Sequence, residues 1–467
     1  MDSLELACGF ATANIWQHRI EPYTLGQALN FSLSKRGYPR TLAICSASLN
    51  YKSADGIIFS NLFRGWPTQA LAQIHADEDA PDPEICPSHW RISVESVPLD
   101  RAFRRMLGRR RVAGLGPALH PAWSNDLEAF VAGSDSHARR RTLVSAWADC
   151  VPYHLDAPFW NWLTDFAPEI IFTNLGSIRQ IGLVQSVAGR LQIPVLPFFC
   201  DDWPRTHFRG DKLKVFPRWL LLHKLSQVMR DAGGGCAASV AMAEEYRERY
   251  GMPFENFMYC VDAPSSPPPG PDGNPIRFCY VGGLHLDRWR SLMELGACLG
   301  ELNDSGTRAE LHVYAPARDL DRYGPQMSRT ASMRLMGTLR PQDVPATLIQ
   351  NHVLVHVESF HPFLSEYTRL SFSTKIPQYL AAGRPVLAYG PEELASCRYI
   401  EETGSGLVVG RRERGSITDA LKRLCSEGRL RKEMGERAWR TARLNHGSES
   451  MRERFRAVLA GVAWSHS

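Results

Sequence analysis

Long hydrophobic runs are missing from this 467-residue chain. None approaches the roughly 18 to 20 apolar residues that span a bilayer, which argues against a transmembrane protein. The opening segment, MDSLELACGFATANIWQHRIEPY, lacks a basic stretch followed by a clean apolar one, so no secretory leader is expected. Paired cysteines are missing too. The eleven cysteines are scattered singly, with no C-x-x-C pair and no His/Cys cluster at zinc spacing. This argues against a structural metal and fits reduced thiols in the cytoplasm. A strong charge of one sign is also lacking: the formal net charge is +5. A dedicated nucleic-acid binder would carry a larger and more concentrated basic excess.

What is present is globular composition, with 44% hydrophobic and 22% charged residues. The length suits two or three domains. No internal repeat is visible. The clearest break is residues 263–275, APSSPPPGPDGNP, where proline and glycine exclude helix and central strand alike. It separates an N-terminal domain, residues 1–262, from a C-terminal domain, residues 276–445, with a terminal helix in residues 446–467. Residues 100–160 are less regular and read as a helix-rich insertion.

Both halves alternate strand and helix patterns, which implies parallel sheets with crossover helices. Short apolar runs at 41–49 (TLAICSASL), 169–174 (EIIFTN) and 193–199 in the first half read as strands buried on both faces, and 178–191 as a helix. In the second half the strand runs are 276–281 (IRFCYV), 310–314, 352–357 and 385–389, with an amphipathic stretch at 291–302. The expected fold class is α/β, two Rossmann-like doubly wound domains facing a cleft. Ligands in such sheets gather at the carboxyl ends of the strands.

Two stretches carry chemistry. Residues 373–391, STKIPQYLAAGRPVLAYGP, place Ser373 and Thr374 as caps before a helix, whose N-terminus suits a phosphate. Lys375 falls in the first turn, where a cation opposes the helix dipole, so it points to a bound anion. Residues 278–292, FCYVGGLHLDRWRSL, end a strand in Gly282-Gly283, where missing side chains let backbone approach a ligand. Arg288 and Arg290 follow. Two cations converging on a diphosphate would stabilise charge developing on a leaving group.

Together these stretches resemble the C-terminal domain of glycosyltransferase family 4, retaining enzymes of the GT-B fold. Val281-Gly282-Gly283 with Arg288 resembles the family's glycine turn and later basic residue. Glu358-Ser359-Phe360 resembles its acidic-Ser-Phe element, and residues 375–386 its K-x-x-E-Y-L-A-A-G-x-P-V element. Thr403-Gly404-Ser405-Gly406 resembles a later glycine turn. The likeness covers residues 276–445 well. It reaches the first half more loosely, through Ser53-Ala54-Asp55-Gly56, Gly65-Trp66-Pro67 and Asp201-Asp202-Trp203-Pro204. The chain departs from the family at Gly283, where arginine is common, at Gln378, where the ribose-binding glutamate stands, and at Cys200, where histidine is common. Glu366 completes an E-x7-E spacing with Glu358 but does not directly precede the Y-L-A-A-G helix, so that match is partly accidental.

The resemblance implies sugar transfer from a nucleoside diphosphate to an acceptor hydroxyl with retention. Arg288, Lys375, Glu358 and Asp202 are the expected catalytic residues. Gly282, Gly283, Arg290, Ser373, Thr374 and Gln378 are expected on the donor side, and Asp201 and Asp55 on the acceptor side. Adjacent side chains on an extended segment point apart, so at most one of Asp201 and Asp202 faces the cleft, where it would hold or deprotonate the acceptor hydroxyl; a helix cap or turn with both solvated is the other reading. His207 and His356 are further candidates, each also readable as structural. No cofactor and no metal are expected, since no D-x-D element stands at the donor site by this reading. Rival readings are a scaffold or binding subunit that has lost catalysis, and an epimerase or phosphorylase on the same fold.

The acceptor side is less defined. Between Arg101 and Arg111 lie six arginines, and HARRR follows at residues 137–141. They form either a solvated helical face or a patch that meets an anionic membrane. Residues 216–230, FPRWLLLHKLSQVMR, read as a helix that lies either at an interface or in the core. The expected partners are thus a nucleotide sugar and a saccharide or lipid-linked saccharide, with no nucleic acid. The expected location is the cytoplasm, with peripheral attachment at the inner face of the cell membrane in cell-surface polysaccharide or glycolipid assembly.

Overall fold

The computed structural model describes residues 37–92, 136–328, 330 and 332–465. The arginine run from Arg101 to Arg111 lies outside the described residues, as does most of the expected insertion and the opening segment. Of the HARRR stretch only the backbone is described, within helix Ser136–Asp149.

Thirteen described strands form two all-parallel sheets. The first holds β1 (Thr41–Ile44), β2 (Leu71–His75), β3 (Ser88–Arg91), β4 (Ile170–Thr173), β5 (Val195–Phe199), β6 (Gly235–Ala237) and β7 (Phe254–Asn256), ordered β3-β2-β1-β4-β5-β6-β7. The second holds β8 (Ile276–Val281), β9 (Ala309–Tyr314), β10 (Met333–Gly337), β11 (Val353–Val357), β12 (Val386–Tyr389) and β13 (Gly406–Val409), ordered β10-β9-β8-β11-β12-β13. Strands β1, β4, β5, β11 and β12 are buried along their whole length, which is why they read as unbroken apolar runs.

Each order reverses once, between β1 and β4 in the first sheet and between β8 and β11 in the second. At such a switch point the connections leave in opposite directions and open a crevice at the carboxyl ends of the strands. The sequence motifs stand at these ends: Asp55 and Asn174 after β1 and β4, Cys200 and Asp201 after β5, Gly282 after β8, and Glu358 after β11.

Residues 263–275 contain no helix or strand. The terminal helix, Ser448–Ser465, crosses back and packs on the first domain. Its Met451, Phe455, Leu459, Val462 and Ala463 join Phe59, Phe63, Phe172 and Phe198 in one buried cluster. The ring of Phe455 meets Phe63, Phe257 and Phe172 edge-on, at 5.1, 5.3 and 5.4 Å. No described helix is long and apolar enough to cross a membrane.

Phe455 therefore ties the last residues of the chain to the core of the first domain. Phe455→Ala is expected to lower unfolding stability by about 3–5 kcal/mol, the usual cost of emptying a buried aromatic site. Denaturant unfolding followed by circular dichroism measures it, and a loss below about 1 kcal/mol would mean the helix is not part of that core.

Candidate functional site

The site begins at the turn after β8. The Gly282 amide donates to the Tyr314 carbonyl at 3.0 Å, and the side chain of Lys375 lies across the α-carbon. A β-carbon on Gly282 would overlap the Lys375 Cε atom, so only glycine leaves that lysine its place. Gly283 is crowded in turn by the His285 ring, 2.6 Å from where a β-carbon would stand. The turn is pinned by Asp319, whose Oδ2 accepts from the Leu284 amide at 2.7 Å and lies 3.9 Å from His285 Nδ1.

Lys375 opens helix Lys375–Ala381 and is partly buried, its Nζ 5.2 Å from the centre of the Tyr280 ring. Burial lowers its pKa to about 7, with Arg288 pushing the same way and Glu358 opposing. The expected Ser-Thr cap is not formed. Thr374 occupies the cap position with helical torsions (φ −59, ψ −16) and no side-chain hydrogen bond, whereas capping geometry needs an extended residue. The Ser373 amide is instead held by Ser396 Oγ at 3.1 Å.

Arg288 is the first residue of helix Arg288–Asp304, and its guanidinium grips Glu358. Nε donates to Oε2 at 3.2 Å, and Nη2 donates to Oε1 and Oε2 at 3.0 Å each. The two side chains are only 12% and 5% exposed, so the bridge is buried. Burial alone would raise the Glu358 pKa; Arg288, with Lys375 adding to it, overcomes this and holds the carboxyl below its ordinary range. His356, fully buried on β11, lies behind the bridge with Nε2 3.5 Å from Glu358 Oε1. Burial drives its pKa to about 3, so the ring is neutral, and neither ring nitrogen is hydrogen-bonded.

Across the crevice, the neighbouring aspartates part company. Asp201 accepts from Ser371 Oγ at 2.5 Å and Tyr367 Oη at 3.3 Å, both from the second domain, and its charge acts on Arg288. Asp202 is fully buried in the first domain, clamped by Arg249 through Nη1 at 2.7 Å and Nη2 at 3.0 Å and by Tyr246 Oη at 2.8 Å. The expectation that Asp202 handles the acceptor hydroxyl is corrected accordingly. Asp55 accepts from Asn174 Nδ2 at 3.0 Å and from the Cys200 thiol, and burial raises its pKa. Burial and the nearby Asp55 and Asp201 keep that thiol protonated, so Cys200 is a hydrogen-bond donor here.

Other expected residues fall elsewhere. Arg290 is 57% exposed and paired with Asp287 at 3.2 Å, so it does not join the buried cations. Gln378 donates to Tyr259 Oη at 3.2 Å. Glu366 binds Arg205 at 2.8 Å and Arg209 at 2.6 Å, bridging the domains instead of serving the donor side. Gly406 lets β13 approach β12, since a β-carbon there would overlap the Val386 carbonyl. The His207 ring lies tilted against Trp203, 5.6 Å between centroids, within the first domain. Sequence reasoning missed Asp319, Tyr280, Tyr367, Ser371 and His285. Only His285, two residues past the glycine turn, carried a local signal. Among the described residues no group of three or more His, Cys, Asp or Glu side chains is placed to hold a metal ion.

No protein-family profile matches the chain, and no curated protein matches it by sequence. Solved structures do. Sucrose-phosphate synthase from Thermosynechococcus elongatus superposes with a TM-score of 0.56 at 12% identity, covering 91% of this chain and 98% of the other. The fold is GT-B. Anabaena HepE, solved with UDP-glucose, gives a TM-score of 0.56 at 10% identity over 90% of this chain and 99% of its own. WaaG, a glycosyltransferase of lipopolysaccharide biosynthesis, gives 0.53 at 13% identity over 90% of this chain and 100% of its own.

The buried bridge makes a sign-specific prediction. A carboxyl with a depressed folded pKa adds stability that is present above its unfolded pKa and lost as pH falls through the folded one. Glu358→Gln should cost about 3–5 kcal/mol at neutral pH by stranding Arg288, and the gap to the natural chain should narrow on acidification. Denaturant titrations at neutral pH and in the acid range measure it. A gap independent of pH would show that Glu358 is not held ionised by its neighbours.

Proposed function

We propose that this chain is a glycosyltransferase of the glycosyltransferase family 4 type, which takes a nucleotide sugar as donor and a saccharide hydroxyl as acceptor. One observation carries the reading. The cations Lys375 and Arg288 converge at the Gly282-Gly283 turn, at the switch point of the second sheet, facing Asp201 of the first domain. A diphosphate placed there meets fixed positive charge in surroundings that water does not screen, where such charge acts most strongly on a departing anion. The UDP-glucose bound to HepE makes a nucleoside diphosphate sugar the natural class of ligand for this fold.

In this reading Glu358 positions Arg288 through two of its nitrogens and leaves Nη1 for the donor. Lys375 neutralises the second phosphate charge. Asp201 and Asp55 line the acceptor side, and Asp202 supports the domain from within. The resemblance assigns retention of anomeric configuration and chemistry without a metal, the developing charge being met by Lys375 and Arg288. WaaG's place in lipopolysaccharide biosynthesis favours an acceptor from cell-surface glycan or glycolipid assembly.

Lys375→Ala should lower turnover at least a hundredfold, about 3 kcal/mol of transition-state stabilisation, with UDP-, GDP- and ADP-sugars tested as donors. Binding should also report on the lysine itself. With its pKa near 7, anion binding pulls a proton onto Lys375, so calorimetry in buffers of different ionisation enthalpy should show proton uptake at mildly alkaline pH that vanishes in Lys375→Met. Unchanged turnover in Lys375→Ala would remove the lysine from the mechanism. Tight donor binding with neither transfer nor donor hydrolysis would mark a scaffold that keeps the fold without the reaction.

A further inference from the structure

Helix Val215–Asp231 is apolar on two sides at its start. Its inner row, Pro217, Leu221, Leu225, Val228 and Met229, is buried, as a core-facing helix should be. Its outer row begins with Val215, Phe216 and Trp219, which are 64%, 47% and 56% exposed, and turns polar only at His223. Leu213, just before the helix, is 59% exposed, and Trp147, from helix Ser136–Asp149, is 42% exposed. These side chains form one surface. Trp147 stacks on Phe216 at 5.6 Å, Phe216 on Trp219 at 5.9 Å, and Trp147 Nε1 donates to the Leu213 carbonyl at 3.2 Å. Five of the nine large hydrophobics exposed among the described residues gather here, which chance scatter does not produce.

The charge around the patch is mainly positive. From residue 205 to 231 there are seven Lys and Arg against two acids, Asp211, buried beside Lys214, and Asp231, at the far end of the helix. Arg205 and Arg209 are ion-paired with Glu366, and Lys212 is exposed beside Leu213. An aromatic surface with an exposed lysine at its edge and a basic excess along its helix fits the headgroup region of an anionic bilayer, where tryptophan and phenylalanine enter the interface and Lys and Arg meet lipid phosphates. The short segment from 203 to 214 links the patch to Asp201 and Asp202, and its Arg205 and Arg209 reach Glu366 across the crevice. The patch therefore lies beside the acceptor side of the molecule.

We propose that Trp147, Leu213, Val215, Phe216 and Trp219, with Lys212 at their edge, form a docking surface for an anionic lipid membrane. The surface stands on exposed residues distinct from the donor site, so it does not depend on the transferase reading.

The test is flotation of the full chain with vesicles of phosphatidylcholine containing phosphatidylglycerol, against phosphatidylcholine alone. The chain should float preferentially with the anionic vesicles, and salt should weaken the preference. Phe216→Ser/Trp219→Ser should lower partitioning by roughly tenfold or more, and circular dichroism should show the double variant still folded, since the core-facing row of the helix is untouched. Lys212→Glu should weaken binding to anionic vesicles alone. UDP binding, read in parallel, should be the same in all variants, which separates failure of this surface from failure of the donor site. Absence of vesicle binding in the natural chain, or equal binding by the double variant, overturns the proposal. So does a change of oligomeric state in the double variant without any vesicle binding, which would assign the patch to a protein contact.

Discussion

Removing a carboxylate and a guanidinium from water costs several kcal/mol each, and their attraction offsets this only when the geometry is close to ideal. The Arg288–Glu358 bridge meets that condition, with contacts between 3.0 and 3.2 Å and little exposure of either group. What it leaves over is the third charge. Lys375 lies beside a cation that is already matched, so burial and then Arg288 repulsion act on it, with Glu358 opposing. Its pKa near 7 expresses burial first and that shortage of negative charge second. A polyanion at the glycine turn supplies what the protein withholds, and the same deficit that destabilises the empty lysine then favours the ligand.

The fold makes this arrangement at the carboxyl ends of its strands. Lys375 follows the segment after Glu358 that carries helix Pro362–Thr368, Arg288 follows the turn after β8, and both meet where β8 and β11 adjoin. Glycine at both positions leaves room for two side chains that fill the space beside them, Lys375 over Gly282 and His285 over Gly283, and a side chain at either would have to displace its neighbour. The departure from the family pattern at Gly283 thus has a steric partner. A long side chain there would have to share its volume with His285, which Asp319 anchors.

Much of the architecture was legible because full burial writes itself as unbroken apolar letters. Helix Ile178–Leu191 and strand Ile276–Val281 are seen at the bounds their sequence implied. Strands β3 and β10 were not legible, since SHWR and MRLMG are exposed at alternate positions and carry charge, and β2 was not legible although buried throughout, because Gln73 and His75 interrupt its apolar run. The cations Lys375 and Arg288 were found because motif spacing fixes them relative to strand ends. Arg290 was misplaced because Arg288 opens a helix, and two residues further is about 200° around it. The Asp201-Asp202 pair shows the limit most clearly. Alternation correctly implied that the two side chains part, but which one faces inward is decided by Arg249 and Tyr246, from a helix more than forty positions later.

That division of labour also bears on how the domains meet. Arg205, Arg209 and Glu366, like Glu245 and Arg369, pair across the crevice with a quarter or more of each side chain exposed. Exposed pairs of this kind contribute about 0–1 kcal/mol each, so they guide the approach of the domains without locking it. Asp201 is different in kind: its partners Tyr367 and Ser371 and its field on Arg288 connect the first domain directly to the buried bridge of the second. Separation of the domains would free this carboxylate and remove one stabilising negative charge from Arg288. The helix Ser448–Ser465, rooted in the first domain while the preceding helix Gly428–Asn445 packs on the second, gives such a motion a covalent tether. A crevice closed by weak exposed pairs and wired through one carboxylate is suited to open for exchange of substrates and to restore the charge balance at Arg288 on closing.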